Sequence, residues 1–232
     1  DNFIFVSFNN TTALEEAFKN HEISSVIIEG IQGVGGVQIP EVSFLEKIRS
    51  LCDEHEAVFI CDEIQSGYGR TGKFFAHQHA QVQADIITIA KGMGNGFPVG
   101  GVLIAPKFQA KHGLLGTTFG GNYLACAASI AVLETIEKQN LLQNATDLGN
   151  YLYEELKNDP LIQEIRYQGL MFGIELKVSC APLRNKLLSE FNILTGNASC
   201  PKTLRILPAL NITKIELDAF IDAFKILSKS NL

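Results

Sequence analysis

Residues 57–63 read Ala57-Val58-Phe59-Ile60-Cys61-Asp62-Glu63, an uninterrupted apolar run closed by two carboxylates. A run of this length, with β-branched and aromatic members, reads as a buried strand. Two runs of the same kind flank it. Ser25-Val26-Ile27-Ile28-Glu29 lies upstream, and Asp85-Ile86-Ile87-Thr88-Ile89-Ala90 lies downstream with Lys91 directly after it. Asn10-Thr11-Thr12 introduces a helical pattern from Leu14 to Phe18, and Pro40 opens a second with Phe44, Leu45, Ile48 and Leu51 on one face. A polar, glycine-rich stretch separates the second strand from the third. Apolar strands separated by helices predict an α/β fold whose mostly parallel sheet is covered on both faces. Ligand chemistry in such sheets collects at the carboxyl ends of the strands, where Glu29, Asp62-Glu63 and Lys91 stand.

Beyond Tyr123 the pattern changes. Helices are predicted over Leu124–Lys138 and Leu141–Lys157, then short strands at Ile165–Tyr167 and Met171–Leu176. A helix near Leu183–Glu190, a strand at Leu204–Leu207 and a closing helix from Lys214 to Leu227 complete a smaller α+β domain. The expected division is 1–135 for a large domain and 136–232 for a small C-terminal one.

The 232 residues are 46% hydrophobic and 19% charged, with 19 basic against 25 acidic side chains, which is ordinary globular composition. No Lys/Arg block stands out, so neither a nucleic-acid nor an anionic-membrane surface is expected. No apolar run reaches the length of a bilayer span. Cys52, Cys61, Cys126, Cys180 and Cys200 are widely spaced and form no CxxC pair, which reads as reduced thiols in a cytoplasmic protein. Asn-x-Ser/Thr triplets at Asn10, Asn144, Asn197 and Asn211 come without a visible signal peptide and read as chance. The chain opens at Asp1, without methionine, inside an apolar strand-like stretch (Phe3 to Val6), which reads as a piece of a longer or processed chain.

Lys91 at a strand end should be partly stripped of water, which frees an amine for Schiff-base formation; alone, it is weak evidence, a surface lysine before a glycine-rich turn such as Gly92 to Gly96 being the commoner case. A carboxylate such as Asp62 can keep a pyridine nitrogen protonated; alone, the Asp62-Glu63 pair equally fits a helix cap or a metal ligand. His55, His77, His79 and His112 show no metal-ligand spacing with carboxylates, so no metal is expected.

Together these residues are more specific. Asp62-Glu63-Ile64-Gln65-Ser66-Gly67-Tyr68-Gly69-Arg70-Thr71-Gly72, followed by Asp85 to Thr88 and Ala90-Lys91-Gly92, resembles the signature of class III (ω-type) aminotransferases. Glu29-Gly30-Ile31-Gln32-Gly33-Val34-Gly35-Gly36 resembles the family's Glu-Pro-x-Gln-Gly-x-Gly-Gly segment, and Thr117-Thr118-Phe119-Gly120-Gly121-Asn122 its Ser-Thr-Phe-Gly-Gly-Asn segment. Within the family, Leu204-Arg205-Ile206-Leu207-Pro208 is most similar to the acylornithine aminotransferases of arginine biosynthesis. The likeness covers essentially the whole chain, while the N-terminal part of the family pattern, with its phosphate loop, a stacking aromatic residue and a second substrate arginine, is absent here.

The resemblance implies a pyridoxal-phosphate-dependent transferase of fold type I, partial in its large domain. It implies a transaminase moving the terminal amino group of an N-acyl-ornithine to 2-oxoglutarate, and a homodimer with a shared site. Lys91 would hold pyridoxal 5'-phosphate and shuttle a proton. Asp62 would pair with the ring nitrogen, Gln65 with the phenolic oxygen, and Thr118 with the phosphate bound to the neighbouring subunit. Arg205 would receive a substrate carboxylate, gated by Glu29. An ornithine, γ-aminobutyrate or diamine transaminase shares these motifs, and an inactive truncated module of the same fold is the reading from another class. Gly30 and Tyr123 each stand where the family has proline.

Overall fold

The side chain of Asn10 accepts the Ala13 amide at 2.9 Å and starts α1 (Thr11–Asn20), whose Leu14 and Phe18 are one turn apart and buried. β1 (Ser25–Glu29) follows. Then comes α2 (Val42–Glu54), which buries Phe44, Leu45, Ile48, Leu51 and Cys52 along one stripe, the spacing of an amphipathic helix. These side chains pack on Phe59 and Cys61 of β2 (Val58–Asp62) in one apolar cluster. β3 (Ile86–Ile89) and β4 (Gly101–Ile104) complete a sheet of order β1-β2-β3-β4. The first three strands are parallel and β4 runs antiparallel to β3. The fold is thus α/β with a mixed, mostly parallel sheet. β2 and β3 are joined by turns and a short 3-10 helix at Ala76–Ala80 rather than an α-helix.

This computed structural model describes residues 3–230. Phe3 to Val6 form no strand, contrary to their apolar pattern, and Phe3 and Phe5 are exposed. Coverage of both sheet faces is also not met among the described residues. Ile27 in β1 is 62% exposed, and Val102, Leu103 and Ile104 in β4 are exposed as well. α1 and α2 supply one apolar layer, and the uniformly apolar strands ask for a second.

α3 (Tyr123–Lys138) begins after Asn122, whose Oδ1 accepts the Ala125 amide at 3.0 Å. Beyond it lie α4 (Leu141–Leu156), β5 (Ile162–Gln168), β6 (Met171–Leu176), α5 (Ala181–Phe191), β7 (Gly196–Asn197), β8 (Thr203–Ile206) and α6 (Lys214–Ser228). The second sheet is antiparallel with order β5-β6-β8-β7. Its core is a single cluster including Leu152, Leu156, Phe172, Ile174, Leu176, Leu183, Leu187, Leu204 and Phe224, all at 0% exposure. Each such side chain contributes roughly 1.5–3 kcal/mol of burial free energy. Thr213 caps α6 by accepting the Glu216 amide while Glu216 accepts the Thr213 amide at 2.7 Å, a reciprocal box that satisfies two helix-end donors.

The chain divides into two compact units, with the boundary inside α3 between Glu134 and Thr135. Two short stretches that sequence order assigns to the first, Ile31–Ile39 and Gly69–Phe74, belong to the second. Among the described residues no helix is long and apolar enough to cross a membrane.

Candidate functional site

In the first unit, Glu29 pairs in register with Asp62, and Asp62 with Thr88. Register partners on parallel strands project to the same face, so the three form a row at the carboxyl edge of the sheet, strand spacing about 4.8 Å. Asp62 Oδ1 accepts the Ile64 amide at 3.0 Å, while its second oxygen makes no hydrogen bond among the described residues. Thr88 Oγ1 beside it is buried without a partner, and a buried hydroxyl left so costs roughly 1–3 kcal/mol.

Lys91 heads a short 3-10 turn (Lys91–Met93) at φ 45°. This left-handed conformation is unfavourable for a side chain with a Cβ, by roughly 1–2 kcal/mol. Such outliers cluster at functional sites. Its ammonium has no hydrogen-bond or ion-pair partner among the described residues. The expectation that Lys91 is stripped of water is not met: it is exposed, because the strand ends before it and the turn lifts it from the sheet. Lys91, Gly92, Asn95, Gly96, Phe97, Pro98 and Val99 line a cavity of about 450 Å³.

Glu63, beside Asp62, points the opposite way and is 1% exposed. Its Oε2 accepts Ser66 Oγ at 2.6 Å and the Ala76 amide at 3.0 Å. Its Oε1 accepts the His77 amide at 2.9 Å and lies 2.8 Å from His77 Nδ1. An ionised carboxylate only accepts, so Nδ1 carries the proton. Burial pulls this carboxyl upward, but the hydrogen bonds from His77, Ser66 and the two amides outweigh it and hold Glu63 below its ordinary value. Burial and the neighbouring Glu63 push the Cys61 thiol far up.

The ligand atoms of Cys61, Glu63 and His77 lie within 4.8 Å of one another, a grouping that sequence spacing did not reveal. Five donors already converge on the Glu63 oxygens, the fifth being Cys61 Sγ at 3.7 Å from Oε1, so the cluster is a hydrogen-bonded clamp. Gly30 lies against the clamp: a Cβ there would lie 2.7 Å from Glu63 Oε1.

Gln65 sits half-buried in the turn after β2. Thr118 is exposed in the loop before α3, and Gly120 beside it donates its amide to Thr117 Oγ1 at 3.1 Å. Asp85, part of the family pattern, is structural. Its carboxylate takes the Phe59 amide at 2.8 Å, Arg49 at 3.1 Å and Lys107 at 2.7 Å.

In the second unit Arg205 lies on β8 between Gly173 of β6 and Gly196 of β7, and its Nε donates to the Asn197 carbonyl at 2.6 Å. Two further arginines organise this unit, and neither was apparent from the sequence. Arg166 donates to the Gly36 carbonyl at 3.0 Å and pairs with Glu175 at 2.8 Å and with Glu164. Arg70 donates to the carbonyls of Leu170 at 3.2 Å and Pro208 at 2.5 Å, and burial lowers its guanidinium to about 10. Gly173 is needed where the Gly36 carbonyl crosses it, since a Cβ would collide with that oxygen.

A planar cofactor with a protonated ring nitrogen and a carbonyl suits the first unit. Asp62 offers an unused carboxylate oxygen on the same face as the orphaned Thr88 hydroxyl, and Lys91 offers an unengaged amine beyond the end of that strand.

These features describe an α/β unit with a row of polar side chains at the carboxyl edge of its sheet. The model of the family "Aminotransferase class-III" matches residues 6–227, and the chain belongs to that family, whose members depend on pyridoxal phosphate. It is 39% identical over 226 residues to the acetylornithine aminotransferase of Nitrosomonas europaea, covering 94% of this chain and 57% of that protein. Among solved structures it resembles the ornithine δ-aminotransferase of Plasmodium falciparum, with TM-score 0.88, 32% identity and coverage of 98% of this chain and 61% of that one. The acetylornithine aminotransferase of Elizabethkingia anophelis is similar, with TM-score 0.85, 30% identity and coverage of 97% and 59%. The chain thus spans less than two thirds of the length of each.

Proposed function

We propose that this chain is the part of a pyridoxal-phosphate transaminase that holds the cofactor ring, acting on the terminal amine of an N-acyl-ornithine with 2-oxoglutarate as acceptor. The observation that carries the reading is the Glu29–Asp62–Thr88 row on one sheet face, with Lys91 in a strained turn beyond its end. The bound cofactor supplies an electron sink for the substrate carbanion.

The side chains supply the rest. Asp62 holds the ring-nitrogen proton through its unused oxygen. Lys91 would bind the cofactor carbonyl and, once displaced by the substrate amine, would carry the proton to and from the substrate carbon, general acid–base work by an amine already in place. Gln65 donates to the phenolic oxygen. Thr118, exposed in its loop, serves the phosphate of a neighbouring subunit, which makes the working unit a homodimer. Arg205 receives a substrate carboxylate as a two-pronged donor; Glu29 engages it for acylornithine and swings away for glutamate. The acyl-ornithine assignment, and with it a place in arginine biosynthesis, is supported by the curated acetylornithine aminotransferases among the relatives. Five unpaired thiols suit a reducing, cytoplasmic setting.

The test is the absorption spectrum of the purified protein with added pyridoxal phosphate, before and after L-glutamate. A visible band that bleaches with glutamate supports the reading; no band from a folded protein overturns it. The solved ornithine aminotransferases among the structural neighbours favour ornithine itself as a second reading. A substrate panel of acetylornithine, succinylornithine, ornithine and γ-aminobutyrate separates the two.

A further inference from the structure

We propose that Glu63 is a positioning residue for the cofactor-facing side chains of Asp62 and Gln65, acting through a buried clamp closed by Ser66, Ala76, His77 and Gly30. The inference rests on the proposed cofactor role of this unit and deepens it.

A carboxylate taken from water costs several kcal/mol unless it is fully hydrogen-bonded, and an apolar side chain of similar volume often serves stability as well. Glu63 therefore has a cost that packing alone does not explain. Its surroundings are complete: Ser66 Oγ and the Ala76 amide reach one oxygen at 2.6 and 3.0 Å, and His77 Nδ1, the His77 amide and Cys61 Sγ reach the other at 2.8, 2.9 and 3.7 Å. Its backbone is tied too, the amide to the Thr88 carbonyl at 3.0 Å and the carbonyl to the Gly67 amide at 2.9 Å.

Successive strand residues face opposite sides. Locking Glu63 inward therefore locks Asp62 outward, onto the row with Glu29 and Thr88. The Ser66 and Gly67 contacts close the turn around Gln65. The Gly30 amide donates to the Asp62 carbonyl at 3.0 Å, so the residue that leaves room for the Glu63 carboxylate also holds the backbone of Asp62. The clamp thereby joins the ends of β1, β2 and β3 to the Ala76–His77 turn.

Glu63→Gln tests this. The variant keeps the size, but whichever way the amide turns its NH2 group meets a backbone N–H that cannot accept, that of Ala76 on one side or of His77 on the other. The purified protein is titrated with pyridoxal phosphate, and the visible band of the complex is followed against pH, a readout of how the ring nitrogen and Lys91 are set. Loss of roughly tenfold or more in affinity, with a displaced pH midpoint of the band, is the expected result. Gly30→Ala, which brings a Cβ against the same carboxylate, should displace the midpoint in the same sense, and so should Ser66→Ala. These two decide the matter if Glu63→Gln does not fold. An unchanged midpoint and affinity in the folded variants, with only a lower melting temperature, overturns the positioning role and leaves the cofactor reading intact. No band from the folded wild-type protein overturns both.

Discussion

Glu29 and Asp62 are register partners on adjacent parallel strands, so their carboxylates leave one face of the sheet a single strand spacing apart. One is assigned to the substrate and the other to the cofactor ring, and no loop intervenes between them. A change at either is therefore felt at the same edge of the site.

Glu29→Gln should change substrate preference more than cofactor affinity. On the proposed gating of Arg205 by Glu29, the ratio of glutamate to acylornithine turnover should rise by roughly tenfold, the worth of one charge-assisted contact. Steady-state rates with each donor at matched concentrations measure this. An unchanged ratio removes the gate.

Lys91→Ala should abolish the visible complex with pyridoxal phosphate. Lys91→Gly should do the same while leaving the cofactor-free protein as stable as wild type or up to about 1 kcal/mol more stable, because glycine adopts the left-handed conformation without penalty. Thermal unfolding of both variants without cofactor provides the comparison. A loss of more than about 1 kcal/mol in the glycine variant would show that Lys91 stabilises the fold rather than burdening it.

Acid should weaken the protein through Glu63. Its folded-state carboxyl lies below the ordinary value of 4.5, so the stability it contributes is present above that value and is lost as pH falls through the lower, folded one. Asp85 is also held low and acts with the same sign, its burial outweighed by Lys107, the Phe59 amide and Arg49. Melting temperature measured from pH 6 downward should fall, and Glu63→Gln should flatten part of that slope. An identical slope in the variant would mean that the Glu63 carboxyl binds its proton equally well in the folded and unfolded states.

Arg166→Met should cost about 2 kcal/mol. The guanidinium is largely buried, but its partners Glu164 and Glu175 are 55% and 29% exposed, so the full cost of breaking a buried pair is not reached. The Gly36 carbonyl loses its donor, and amide exchange over residues 33–37 should quicken before exchange elsewhere in the second unit. Uniform quickening across that unit would instead indicate a general loss of stability.

The three apolar strands, their order of appearance and the polar residues at their ends were legible from the sequence, because a continuous apolar run and a strand-terminal Asp or Lys are local signals. The family motifs placed Lys91, Asp62, Gln65, Thr118 and Arg205 on definite elements for the same reason. β4 carries no such signal, being a four-residue strand that begins at a glycine and pairs antiparallel. What only the tertiary structure decided depends on residues far apart in the chain. The Arg70 guanidinium meets Leu170 and Pro208 across separations of 100 and 138 residues, and Arg166 meets Gly36 across 130. These contacts draw two motif segments into the second unit, and no periodicity records them. The Asp-Glu pair was visible as letters. That Asp62 lies on the row with Glu29 and Thr88 while Glu63 is buried under five donors followed only once strand pleat, Gly30 and the Ala76–His77 turn were in place, because alternation in a strand assigns opposite sides but packing chooses which side is inside.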